Sequence, residues 1–245
     1  MEGPSLIILK EEIIAFKGKK VMQVSGNTTI EKERFKNRIV RDFKSWGKHF
    51  IIGFDGFFVK IHFLMFGSYR INEQKEDRTP RLTLIFKNGE INFYACSVKI
   101  VEDEPENVYN WEVDVMSDQW NPKKALAAVK KMKDTMACDA LLDQNIFAGV
   151  GNIIKNEVLF RIKVHPKSMI SNLTPRQLKN LVEEARKYSF DFYNWKKIYQ
   201  LRKHWLIYKK RKCQQCKIPV ITKHTGKGKR YSFFCEACQP LEINF

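Results

Sequence analysis

No apolar run in this 245-residue chain approaches the roughly 18 residues that a membrane span requires. The longest candidate, around Ile51 to Val59, is interrupted by Asp55. The opening residues, MEGPSLIILKEE, lack the basic start of a secretory leader, so the expectation is an intracellular, cytoplasmic protein. Internal repeats and low-complexity segments are absent, which excludes a solenoid. Acidic residues are scarce in the second half. Residues 119–245 hold 9 Asp/Glu against 26 Lys/Arg, whereas residues 1–118 hold 18 of each, so the net charge of +17 lies wholly in the C-terminal part. Such asymmetry points to a polyanionic partner, nucleic acid ahead of a membrane surface. The alternative is a solvated basic surface kept for solubility. No strongly amphipathic basic helix stands out to support a membrane role.

What is present divides into three styles. Residues 49–71, HFIIGFDGFFVKIHFLMFGSYRI, are β-branched and aromatic with glycine breaks, and residues 81–101 repeat the style around Lys87-Asn88-Gly89, a strong hairpin signal. Residues 5–16 are apolar at helical spacing, and residues 29–45 read as a further helix with a mixed-charge face. Glu102 to Glu106, with Pro105, reads as a surface loop. Near residue 119 the character changes. Asn121-Pro122 predicts a capped helix start running to about Met136, and Thr174-Pro175 predicts another leading into RQLKNLVEEARKYSFDFYNW. The tail from about Trp205 is basic and turn-rich.

That tail carries four of the six cysteines. Cys213-Gln-Gln-Cys216 and Cys235-Glu-Ala-Cys238 are separated by 18 residues. Each C-x-x-C turn offers two thiolates on one side, and two such turns complete a tetrahedral set. The intervening residues read as two short strands around a glycine-rich turn. A closed, structural zinc site follows, preferred over two disulfides, which an intracellular compartment disfavours. His224 lies in the linking hairpin and reads as exposed, not as a ligand. Lys223, Lys227, Lys229 and Arg230 form a basic hairpin suited to a DNA groove or a phosphate. Cys96 and Cys138 stand alone in apolar-leaning segments and read as small buried hydrophobes.

Gly149-Val150-Gly151-Asn152 precedes the helical run IIKNEVLF. Two glycines at a helix entry let backbone approach a ligand, and amide N–H groups there suit a phosphate. An ordinary inter-helix turn is the alternative.

Three of these features occur together, in order, in one family. Glu2-Gly3-Pro4, the segment LLDQNIFAGVGNIIKNEVLF and the terminal CEACQ together resemble the formamidopyrimidine-DNA glycosylase and endonuclease VIII family over most of the chain. The resemblance implies an α+β protein: an N-terminal β-sandwich catalytic domain with flanking helices (1–118), a helical helix-two-turn-helix domain (119–204) and a zinc finger (205–245). It implies duplex DNA carrying damaged or abasic sites as the partner, a monomer, one structural zinc ion, and base excision with strand cleavage through a Schiff base. Carried over by motif, Glu2 assists ring opening and proton transfer, and Lys48 sits beside the sugar-phosphate. Gly149, Gly151 and Asn152 bind phosphate, as do Lys229 and Arg230 of the finger. Met65 and Phe66 fall where the family inserts a wedge into the vacated stack. Phe66 reads equally as a buried strand residue.

One departure is plain. The family's nucleophile is usually a proline just before the glutamate, and this chain has Met1 there. The resemblance therefore assigns the position to the α-amine of Met1. An α-amine titrates near about 7.7–8.0 against about 10.4 for lysine, so a useful fraction is neutral at pH 7. A recruited lysine, or a catalytically silent protein that binds damaged DNA, are the alternatives. Between Tyr193 and Cys213 there is little room for the long loop that caps oxidised guanine in some relatives, so oxidised pyrimidines are favoured.

Overall fold

A computed structural model describes residues 1–242, so residues 243–245 of the expected finger lie outside it. Chain contacts divide it into two units, Met1–Asn110 and Trp111–Phe245. The division precedes the change in charge because residues just after Trp111 already belong to the second unit. Asp114 bridges Ala148, and the Val115 N–H donates to the Ala148 carbonyl.

The first unit opens with α1 (Gly3–Glu12), whose Pro4 sits in the first turn, where a missing N–H costs nothing. Its Leu6 and Leu9 are fully buried. The strands follow as β1 (Val21–Ser25), β2 (Asp42–Trp46), β3 (His49–Gly53), β4 (Phe58–Ile71), β5 (Leu82–Phe86) and β6 (Gly89–Val101). They pair in the antiparallel order β1-β5-β6-β4-β3-β2. The two ends of this sheet fold over a shared core. Phe43, Phe50 and Ile52 from one end join Leu82, Leu84 and Phe93 from the other, which makes the sandwich. The β5–β6 turn falls at Lys87-Asn88, and Gly89 is obligatory. Its φ is 141°, and a Cβ there would meet Asn72 Oδ1 at 2.0 Å.

The expected helix over 29–45 is not formed. Residues Lys32–Phe35 make one 3-10 turn, and β2 pairs with β3. Long-range pairing wins over local pattern: the Val21 N–H donates to Arg38, the Asn37 N–H to Val21, and the Val40 N–H to Lys19. The mixed charges find partners across the unit. Arg34 pairs with Glu102, Arg41 with Glu104 and Lys44 with Glu106, on the acidic stretch that contains the short α2 (Pro105–Val108). These pairs are exposed and contribute little stability.

The second unit contains α3 (Pro122–Lys131), α4 (Ala137–Leu142), α5 (Asn152–Arg161), α6 (Pro175–Lys197) and the hairpin β7 (Ile221–Thr225) and β8 (Arg230–Phe234). The Asn121 side chain accepts from the Lys124 N–H at 3.1 Å and starts α3 as expected. That helix stops at Lys131, short of Met136, because Met136 pairs with Met169 and the Thr135 carbonyl accepts from Ile170. Thr174 and Gln177 form a reciprocal capping box at the head of α6. Phe147, Val150, Ile154, Val158, Leu181 and Tyr188 are core members of this unit. The cysteine module is no separate body. Phe160 of α5 packs with Ile207, Cys213 and Cys235. No helix among the described residues is long and apolar enough to cross a membrane.

Candidate nucleic-acid interface, amine site and metal centre

In the first unit, Met1 and Glu2 lie at the head of α1, half-buried, with Met1 packed against the core. Glu2 caps α1 in extended conformation and its carbonyl accepts from Ser5 at 3.0 Å. Lys48 occupies the β2–β3 turn, where Gly47 adopts a φ of 55°. His62 on β4 contacts the Lys48 carbonyl through Nδ1 at 3.2 Å. Burial lowers the His62 pKa, and the positive charges of the amino terminus, Lys48 and Lys60 lower it further. The helix α1, which Met1 and Glu2 head, packs against β2 and β3, whose connecting turn carries Lys48. His49 lies edge-on to His62 at 5.3 Å and stacks on Trp46 at 5.7 Å, and burial pushes it down to about 4. Both imidazoles are therefore predominantly neutral near pH 7.

On β4 the register against β6 shifts between Phe63 and Ser68. The bulge ejects Leu64, Met65 and Phe66, the last two 69% and 82% exposed. Phe66 is therefore not a buried strand residue. Its φ of 65° is costly for an aromatic residue and holds the ring out of the ladder. Gly67 makes the bulge possible, since a Cβ there would come within 2.8 Å of the Ala95 carbonyl and of Phe63 Cβ.

In the second unit, Gly149 turns with a φ of 99° and Gly151 caps α5 in extended conformation. The Gly149 N–H donates to Gln144 Oε1 at 3.1 Å, while Gln144 Nε2 donates to the Leu142 and Val150 carbonyls. Gly149 therefore supplies the bend and not its own N–H. Asn152 opens α5, and its Oδ1 is buried without a hydrogen-bond partner. Lys223, Lys227, Lys229 and Arg230 are all exposed on the hairpin, and so is His224, whose Nδ1 contacts the Lys229 carbonyl.

The sulfurs of Cys213, Cys216, Cys235 and Cys238 all lie within 4.8 Å of one another. The Cys213–Cys238 and Cys216–Cys235 separations are 3.8 and 3.3 Å. Zinc–sulfur bonds of about 2.3 Å at tetrahedral angles place sulfurs about 3.8 Å apart, so the four cysteines could hold such an ion. The knuckles are braced from outside. Gln239 accepts from the Cys235 N–H at 3.1 Å and donates to the Val164 carbonyl at 2.8 Å. Cys96 and Cys138 are buried, as expected of lone cysteines.

Sequence reading missed the polar triplet inside α5. Lys155, Asn156 and Glu157 are buried between the apolar stretches Ile153-Ile154 and Val158-Leu159-Phe160 of that helix. Glu157 accepts from the Leu206, Ile207 and Tyr208 N–H groups at 2.9–3.0 Å. The available signal was KNE inside IIKNEVLF: three consecutive polar residues cannot all face solvent on a helix that is apolar on both sides.

Comparison with known proteins agrees with this architecture. Residues 8–97 match the formamidopyrimidine-DNA glycosylase N-terminal domain, and residues 112–188 match the formamidopyrimidine-DNA glycosylase H2TH domain. The chain belongs to the formamidopyrimidine-DNA glycosylase and endonuclease VIII family. Over 213 residues it is 34% identical to Endonuclease 8-like 3 of Mus musculus, covering 84% of this chain and 35% of that protein. It is 33% identical over 197 residues to Endonuclease 8-like 2 of Bos taurus, covering 74% and 58%. The chain thus spans 35% of the length of the first relative and 58% of the second. The fold is shared with the formamidopyrimidine-DNA glycosylase of Lactococcus lactis solved with DNA containing an AP site (TM-score 0.87, 19% identity, 98% of this chain and 100% of that one). It is shared also with a viral DNA glycosylase (TM-score 0.84, 18% identity, 98% and 100%).

Proposed function

We propose that this chain is a base-excision-repair DNA glycosylase with AP lyase activity, acting on oxidised bases, pyrimidines favoured, in duplex DNA. The observation that carries the reading is the packing of α1, headed by Met1 and Glu2, against the strands β2 and β3 whose turn holds Lys48 beside His62. The Met1 α-amine attacks C1′ of the damaged nucleotide. A nitrogen–carbon bond forms, the glycosidic bond breaks, and its electron pair leaves with the base. Glu2 delivers a proton to the ring oxygen as the sugar opens, giving a protonated imine; loss of a C2′ proton expels the 3′ phosphate and loss of a C4′ proton then expels the 5′ phosphate, a β,δ-elimination. The neutral imidazole of His62 spares the amine added positive charge. Lys48 holds the sugar-phosphate beside it.

Met65 and Phe66 fill the gap left when the base is extruded, an apolar wedge that stays dry once inserted. Gly151, Asn152, Lys229 and Arg230 take backbone phosphates, with Gly149 setting the bend. The finger holds one structural zinc ion, its four positions filled by protein. Held by Cys213, Cys216, Cys235 and Cys238, such an ion would neutralise thiolate charge there and lock the hairpin's base. We read residues 1–118 as catalytic, 119–204 as the DNA grip and 205–245 as the finger, working as a monomer inside the cell, where thiols stay reduced.

An incision assay tests the reading. On a duplex with one oxidised pyrimidine, the protein is expected to release the base and leave a gap flanked by phosphates on both sides. Tight binding to the same duplex with no base released and no strand cut contradicts it, and leaves a protein that binds damage without repairing it.

A further inference from the structure

The hairpin that carries Arg230 is held by side chains that no DNA contact requires. Lys155 and Asn156, 0% and 1% exposed, lie in α5 against the free edge of β8. Asn156 completes that edge as a neighbouring peptide would. Its Oδ1 accepts from the Phe233 N–H at 2.8 Å and its Nδ2 donates to the Tyr231 carbonyl at 3.3 Å. The same Nδ2 donates to the Asn152 carbonyl at 2.7 Å. One amide nitrogen therefore ties the first residue of α5 to the residue that follows Arg230. Lys155 Nζ donates to the same Tyr231 carbonyl at 3.1 Å and to Ser232 Oγ at 2.9 Å.

The hairpin's tip is gripped as well. The Asp139 carboxylate of α4 accepts from the Lys227 N–H at 3.1 and 2.9 Å. Gly226 lets it approach, since a Cβ there would lie 2.1 Å from Asp139 Oδ1. Between the two grips lie Gly228, Lys229 and Arg230, all exposed, so the side chains of Lys229 and Arg230 are left to solvent. Burying an amino group and a carboxamide strips their hydration, and an apolar pair would pack the same interface without that loss. What the polar pair adds is direction: it fixes the height of Tyr231 against Asn152 to within a hydrogen-bond length.

We propose that Asn156 and Lys155 are positioning residues that hold Arg230 beside Asn152, so that the two side chains take a single DNA backbone phosphate as one unit. The proposal rests on the reading of Asn152 and Arg230 as phosphate ligands. Each can fail separately, and one experiment separates them.

Binding of a duplex carrying a tetrahydrofuran abasic analogue is measured across salt concentrations for the full chain, Arg230→Ala, Asn156→Ala and the double variant. Arg230→Ala is expected to reduce the slope of log affinity against log salt by about 1, with about tenfold weaker binding at low salt. Asn156→Ala is expected to do the same, and the double variant no more than either. Lys155→Met, which fills the space with an apolar chain, is expected to show part of the same loss and serves if Asn156→Ala does not fold. A loss that leaves the slope intact, or one that adds in full to that of Arg230→Ala, overturns the positioning role. An unchanged slope in Arg230→Ala overturns the phosphate reading, and the proposal falls with it.

Discussion

Glu2→Gln is expected to lower base excision by about 10²–10⁴-fold while leaving duplex binding within about twofold, the range set by loss of a positioned proton donor. The side chain emerges where α1 begins, next to the proposed amine nucleophile. An amide of the same shape keeps the local packing and the cap conformation, so what is lost is the proton. Single-turnover kinetics on a duplex with an oxidised pyrimidine, alongside anisotropy with an uncleavable duplex, separates the two effects. Equal loss of binding and of rate would mean that Glu2 holds the fold or the DNA and does not transfer a proton.

The largest effect on stability is expected at Glu157. Its side chain is fully buried and collects three consecutive backbone N–H groups from residues 206–208, with Arg161 at 4.0 Å. Glu157→Ala leaves those donors without an acceptor, at about 1–3 kcal/mol each before relaxation. A net loss of about 3–5 kcal/mol follows, as for breaking other buried charged networks. For a chain of this size that lowers the melting temperature by about 10 °C or more. Because residue 207 packs with Cys213 and Cys235, the same variant, loaded with zinc, is expected to lose the ion to a chelator faster than the parent so loaded. A variant that melts within about 2 °C of the parent would show that residues 206–208 find other acceptors.

How much was legible in the sequence depended on the range of the forces. Caps and knuckles are local, so Asn121, Thr174 and the paired cysteines announced themselves by residue type and spacing. The helix expected over 29–45 failed because Asn37 to Val40 pair back with Lys19 to Val21 and because β2 pairs with β3, partners that lie beyond the reach of a helical turn. Phe66 could be read two ways because a bulge depends on Gly67 meeting Ala95 across a strand, a contact invisible along the chain. The bonds from Lys155 and Asn156 to the hairpin span about 75 residues, and only the misplaced polarity of KNE hinted at them. Among the proposed site residues, Glu2 and Lys48 were legible only through resemblance. The depressed His49 and His62 beside them were not legible at all, because burial and neighbouring charge are properties of the fold.

The central claim is that the amino-terminal amine is the nucleophile. Borohydride trapping on a duplex with an abasic site, followed by mass spectrometry of the crosslinked peptide, tests it most directly. The account predicts an adduct on the α-amine of Met1. An adduct on Lys48 or another lysine, or none under conditions that trap a proline-bearing relative, would contradict it.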